Sequence, residues 1–177
     1  MRGAGSSSAL RLVLLCTVAL VGAVAVGCAA PAGEPTDVVG DAVQPAPWSL
    51  STPEVAVRSY LDWVSFSYRM ANSEIPTATM TPEEGVRVDS YIQLNRIEGK
   101  GIEQTLEDIE MMVVSEEASS AVVTASESWR YRYFSLDTLE YVSELLVASY
   151  ETTYTLVATP GGWLVDRVEA TASDEVQ

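Results

Sequence analysis

No histidine occurs anywhere in the 177 residues. The commonest general base and the commonest metal ligand are therefore missing together. Basic residues are scarce too: 10 lysines and arginines stand against 25 aspartates and glutamates, and Lys100 is the only lysine. Arg2 and Arg11 precede Cys28 and no acidic residue does, so the chain after that cysteine is more acidic still. Such a surface repels a phosphate backbone, which excludes nucleic acid as a partner, and it has no charge attraction to anionic head groups. Of the two cysteines, Cys16 lies in an apolar leader and Cys28 just beyond it. No intrachain disulfide is expected in the chain beyond Cys28, and the fold must rest on packing. Neither a GxxxxGK phosphate loop nor a G-x-S-x-G elbow is present. Glu107, Asp108 and Glu110 cluster without the Asp-x-Asp-x-Asp-Gly order of a calcium loop. No metal and no cofactor is expected.

The leader is informative. Residues 12–27 contain no charge and follow Arg2 and Arg11. A basic start, an apolar middle and small residues at the exit describe a secretory signal, here residues 1–27. The exit, Ala25-Val26-Gly27-Cys28, resembles the bacterial lipobox, with Ala25 where leucine is usual. That resemblance implies that Cys28 becomes the lipid-modified first residue and anchors the protein to a membrane. Two alternatives are open: an uncleaved anchor, since the uncharged run to residue 30 approaches the length that spans a bilayer, or a plain secreted protein. Either anchored form places the domain on the extracytoplasmic side.

Residues 28–50 contain Pro31, Gly33, Pro35, Gly40, Pro45 and Pro47 among small and acidic residues. This composition reads as a flexible tether, with Trp48 docking at the domain edge; an ordered arm is the alternative. The domain is expected over 51–172, and 173–177 as a disordered tail. Thr52-Pro53-Glu54 is a helix start: a capping hydroxyl, a proline whose missing N–H costs nothing, and an acid near the positive end of the dipole. Val57, Tyr60, Leu61, Val64, Tyr68 and Ala71 then recur at helical steps, and Trp63, Phe66 and Met70 widen the apolar sector. Thr81-Pro82-Glu83-Glu84 repeats the signal and predicts a second helix to about Arg96. Val86, Val88, Ile92 and Leu94 share even positions, however, and fit a strand equally well. Gly99 and Gly101 are expected to end this segment.

The remainder reads as β. Residues 106–114 are a first run. Over 121–134, Ala121, Val123, Ala125, Glu127, Trp129, Tyr131 and Tyr133 alternate onto one face. Residues 145–158 place Leu146, Ala148, Tyr150, Thr152, Tyr154 and Leu156 together. Thr159-Pro160-Gly161-Gly162 is a turn, and 163–170 the last strand. Helices first and long strands after predict an α+β fold, with N-terminal helices on a curved antiparallel sheet of about four strands.

This order resembles the NTF2-like (cystatin-like) fold over about 53–171. The residues concerned are Tyr150-x-x-x-Tyr154-x-Leu156, Gly161-Gly162-Trp163-Leu164-Val165, and the strand Ala121-Val122-Val123-Thr124-Ala125-Ser126-Glu127. The layout is similar to the membrane-tethered NTF2-like domains of Mce-associated proteins and lipoproteins. It is also similar to the terminal domain of chloroplast-division membrane proteins, which binds a short tail of a partner. The resemblance implies a cone between helices and sheet in which enzymes of the fold place their catalytic groups. Those resembling scytalone dehydratase need histidine, which is absent. No tyrosine-plus-two-acids set of the ketosteroid-isomerase kind, nor an Asp-Arg-Asp set of the limonene-epoxide-hydrolase kind, can be matched by motif.

Glu127 breaks its pattern, an acid between Ala125 and Trp129 on the apolar face. Buried alone it would be costly. It is either a general acid/base or polar anchor for a ligand, or it is paired with Arg58, Arg87 or a tyrosine hydroxyl, or a bulge turns it outward. Glu127, Trp129, Tyr131, Tyr150 and Tyr154 are the candidate cavity residues, and no catalytic set is assigned. Arg130 and Arg132 alternate with Trp129, Tyr131 and Tyr133 in a strip that fits an acidic peptide, or else a solvated face with arginine over aromatic rings. The expected function is a non-enzymatic, lipid-anchored module that binds an envelope protein or a small apolar molecule. An enzyme or apolar-ligand carrier built on the cone, and a homodimeric structural domain, are the alternatives.

Overall fold

The computed structural model describes residues 37–173. The expected signal, Cys28 and the end of the tail lie outside the described residues. Among those described, no helix is long and apolar enough to cross a membrane.

Both helices begin at their Thr-Pro pairs. Helix α1 spans Pro53–Met70, with Thr52 Oγ1 accepting from the Val55 amide at 3.4 Å. It stops at Ala71, whose φ of 46° returns the Asn72 amide to the Ser67 carbonyl. That is glycine's conformation, and an alanine there is strained. A short 3-10 turn, Thr77–Thr79, leads to α2, Pro82–Ile97. The ambiguity over 86–95 is resolved as helix. Val88 and Ile92, one turn apart, are buried, while Val86, Leu94 and Ile97 face solvent. The alternation is therefore coincidental, with only one narrow stripe facing inward.

Strands β1 (Lys100–Glu116), β2 (Ser120–Ser135), β3 (Leu146–Thr159) and β4 (Gly162–Ala172) form an antiparallel meander in that order. Strands β1, β2 and β4 are longer than the runs expected for them, and β3 is shifted by one residue. Gly99, at φ 69°, ends the helical segment, but Gly101 is already in β1. Its role is contact: the Phe134 ring lies on it, and a Cβ there would meet Phe134 Cζ at 2.2 Å. Register shifts at Leu106/Asp108, Val113/Ser115 and Thr155/Leu156 are bulges, which bend and twist the strands that hold them. Ala121, Val123, Ala125, Leu156 and Val165 meet Ala56, Val57, Tyr60 and Val64 of α1 in one core. The start of α2 is tied to β4, since the Thr81 amide donates to the Val165 carbonyl at 2.9 Å and its hydroxyl to Asp166 Oδ1 at 2.9 Å.

Residues 37–50 differ from the flexible tether expected for them and lie along the domain as an arm. The Val39 amide donates to the Leu139 carbonyl at 2.9 Å, and the Ala46 carbonyl accepts from Trp63 Nε1 at 3.1 Å. Ser49 and Ser59 exchange hydrogen bonds, and Trp48 meets Trp63 edge-on at 5.3 Å. Partners for the backbone groups offset an ordering entropy that the arm's own side chains could not. The arm ends against the last hairpin: the Trp163 amide donates to Leu50 O, and Gly162 at φ 116° lets that carbonyl approach where a Cβ would sit 2.3 Å away.

Candidate functional site

Glu127 stays on the inward face of β2. It is in register with Ile109 on β1 and Tyr150 on β3, so no bulge turns it outward. Only 6% of it is exposed. Trp129 Nε1 donates to its Oε2 at 2.7 Å, and the Tyr154 hydroxyl donates to Oε1. Both oxygens accept, as those of an ionised carboxylate do. The partner is thus a tyrosine hydroxyl together with an indole, and no arginine takes part. Arg87 instead reaches a second buried acid, Glu84, at 2.7 Å, and the Tyr60 hydroxyl donates to Glu84 at 2.8 Å. Tyr60 and Tyr154 touch edge-to-face, with centroids 6.3 Å apart, so the two acid–tyrosine pairs stand side by side under α1.

Above them is a cavity of about 400 Å³ between the helices and the sheet. Its volume falls in the range of small-molecule sites. Glu127, Trp129, Tyr131, Tyr150 and Tyr154 all line it, so the structure brings these five candidates together. Helix α1 adds Tyr60, Leu61, Val64 and Tyr68, α2 adds Tyr91, and β4 adds Val168 and Ala170. Tyr68 and Tyr91 stack edge-on at 5.3 Å, and the partly exposed Tyr91 stands at the mouth. Thr152 also lines the cavity and is 3% exposed. Its Oγ1 is close enough to Tyr154 to offset part of that phenol's shift, yet it has no partner at hydrogen-bonding geometry. A buried hydroxyl left in this state costs free energy.

Burial and nearby acids keep the phenols protonated. Tyr154 is pushed well above the ordinary 10.0 by burial first and the charge of Glu127 second. Tyr60 is raised by burial and then by Glu84, and Tyr68 rises to about 12 for the same reasons. At neutral pH the cavity therefore presents neutral rings and hydroxyls.

The alternation of β2 and β3 located Glu127 and its companions. Tyr60 and Tyr68 were legible only as core positions of α1, although hydroxyls on an apolar stripe eight residues apart are a usable signal. Thr152 was placed on the inward face of β3 without a role; it is the one non-aromatic hydroxyl there. Tyr91, on the ambiguous segment, gave no sign. The arginines of the basic and aromatic strip have partners within the chain. Arg130 pairs with Glu107 at 2.9 Å, and Arg132 pairs with Asp37 at 2.7 Å while lying 3.8 Å over the Tyr141 ring. Among the described residues no group of three or more acidic or cysteine side chains is arranged to hold a metal ion.

The geometry defines a class of fold, two helices on a four-stranded antiparallel sheet enclosing a cavity, and comparison with known proteins bears on that fold alone. No family model matches the chain, and no curated protein does. Among solved structures it is similar to the intermembrane space region of the chloroplast protein ARC6, with a TM-score of 0.60 and 18% identity over 72% of this chain and 100% of that one. It is also similar to a protein from the NTF2-like family of Streptomyces avermitilis, with a TM-score of 0.46 and 15% identity over 70% of this chain and 99% of that one. A third is a domain of unknown function with a cystatin-like fold from Nostoc punctiforme, with a TM-score of 0.42 and 13% identity over 70% and 80%.

Proposed function

We propose that this protein is a non-enzymatic small-ligand-binding module, held on the extracytoplasmic side of a membrane by lipid on Cys28. The observation behind the binding role is the cavity of about 400 Å³, lined by six tyrosines, Trp129 and Glu127. Had tyrosine rings filled this space, an exposed face and a protein partner would be the better reading. A non-enzymatic role fits the hydrogen bonding of Glu127, whose two oxygens are already engaged by Trp129 and Tyr154. The tether reading rests on the basic and apolar leader and on the lipobox-like Gly27-Cys28.

Native and denatured mass spectra of the protein purified from its host envelope test the two parts separately. Additional non-covalent mass that disappears on denaturation is expected from a loaded cavity. Covalent mass consistent with acylation at a new N-terminal Cys28 is expected from the tether. A native mass equal to the denatured one, unchanged after exposure to host extract, would count against the binding role. An uncleaved N-terminus would refute lipidation.

A further inference from the structure

We propose that the cavity takes an organic cation of the fully alkylated ammonium class, bound in an aromatic cage with Glu127 as its counter-charge. This deepens the binding role above and rests on it. Six tyrosines and Trp129 line the cavity, and Glu127 is the only charged side chain among the lining residues. Aromatic faces around one negative charge are the surroundings in which a cation is attracted by ring quadrupoles and by direct electrostatics. The whole chain leans the same way, with 25 acidic residues against 10 basic, so the field draws cations towards the mouth.

The hydrogen-bonding inventory narrows the class. A guanidinium or primary ammonium brings several N–H donors that each need an acceptor once water is removed. The Glu127 oxygens already accept from Trp129 and Tyr154, Tyr60 donates its proton to Glu84, and the acceptors left in the lining, Gln104 and the other tyrosine hydroxyls, are neutral and replace the hydration of an N–H cation poorly. A quaternary ammonium has no N–H and needs only charge and apolar contact. Leu61, Val64, Val168 and Ala170 provide surface for its alkyl groups. A bare metal ion is a poor fit, since a single carboxylate with both oxygens engaged cannot replace its water shell. A small quaternary cation satisfies ring and charge together.

Calorimetric titration of the purified protein with choline and with 3,3-dimethylbutan-1-ol, its neutral isostere, separates charge from shape. Choline is expected to bind at least about ten-fold more tightly, the gain of one desolvated cation–π contact or more. Tyr91→Leu at the mouth should weaken choline about three- to ten-fold and leave the neutral isostere within about two-fold. Glu127→Gln should do the same, and Tyr91→Leu keeps the test alive if Glu127→Gln fails to fold. Phosphocholine distinguishes the source: binding about ten-fold weaker than choline indicates a free cation, whereas equal binding indicates a lipid head group with the same ammonium. An isostere that binds as well as choline would overturn the cation while leaving a ligand cavity. Absence of choline binding would also overturn it, and the mass spectra would then decide separately whether the cavity holds anything.

Discussion

Replacing Glu127 by methionine exposes how the floor of the cavity is held. Methionine nearly matches the side chain's length but accepts no useful hydrogen bond. It would leave two donors without partners, the hydroxyl of Tyr154, a residue 1% exposed, and Nε1 of Trp129, a residue 7% exposed. Each orphaned donor costs about 1–3 kcal/mol, and the extra apolar burial returns about 1 kcal/mol. The expected loss is about 1–5 kcal/mol, a sizeable part of a typical stability of about 5–15 kcal/mol. Tyr154→Phe alone leaves one carboxylate oxygen unpaired and should cost about 1.5–3 kcal/mol. In the double variant that oxygen and that hydroxyl are both gone, and only the indole is orphaned. Its loss should therefore fall short of the sum of the single losses by at least about 1 kcal/mol. Urea unfolding followed by far-ultraviolet circular dichroism reads these differences without using Trp129 as the reporter. A Glu127→Met loss below about 0.5 kcal/mol, or simple additivity with Tyr154→Phe, would refute a buried, doubly bonded carboxylate.

Three further outcomes concern other parts of the fold. Ala71→Gly relieves the left-handed cap of α1 at φ 46° and should stabilise by about 0.5–1 kcal/mol after the unfolded-state entropy of glycine is subtracted, read as a raised melting temperature. Gly101→Ala drives a methyl into the buried Phe134 ring and should destabilise by about 1–3 kcal/mol, whereas Gly40→Ala, with open space around it, should change stability by less than about 0.5 kcal/mol. The buried phenols Tyr60 and Tyr154 have folded pKa values raised above the ordinary 10.0, so the stability they contribute as neutral groups is complete below pH 10 and lost as pH rises towards the folded values. Each should then cost about 1.4 kcal/mol per pH unit, and phenolate absorbance should show a late wave coinciding with unfolding. A single wave near pH 10 with the fold intact would contradict their burial.

The sequence reads most clearly where the chain repeats a local rule. Two Thr-Pro starts mark both helices, and strict alternation over 121–134 is enough by itself to put Glu127 on the inward face. It reads least clearly where a residue's role is set by something distant in the chain. Gly101 looks like a terminator until Phe134, opposite it on β2, is seen to need the space. The Pro-rich arm looks like tether because its own side chains cannot stabilise it; Leu139, Trp63 and Ser59 supply the partners. The second half of the cavity is hidden for the same reason. Periodicity says that Tyr60, Tyr68 and Thr152 face inward, and inward normally means core. Whether an inward hydroxyl ends in packing or in a cavity depends on how far the opposing layers stand apart. Here the Tyr60 and Tyr154 hydroxyls find acids, and the layers stand far enough apart to leave the cavity that Tyr68, Tyr131 and Tyr150 line.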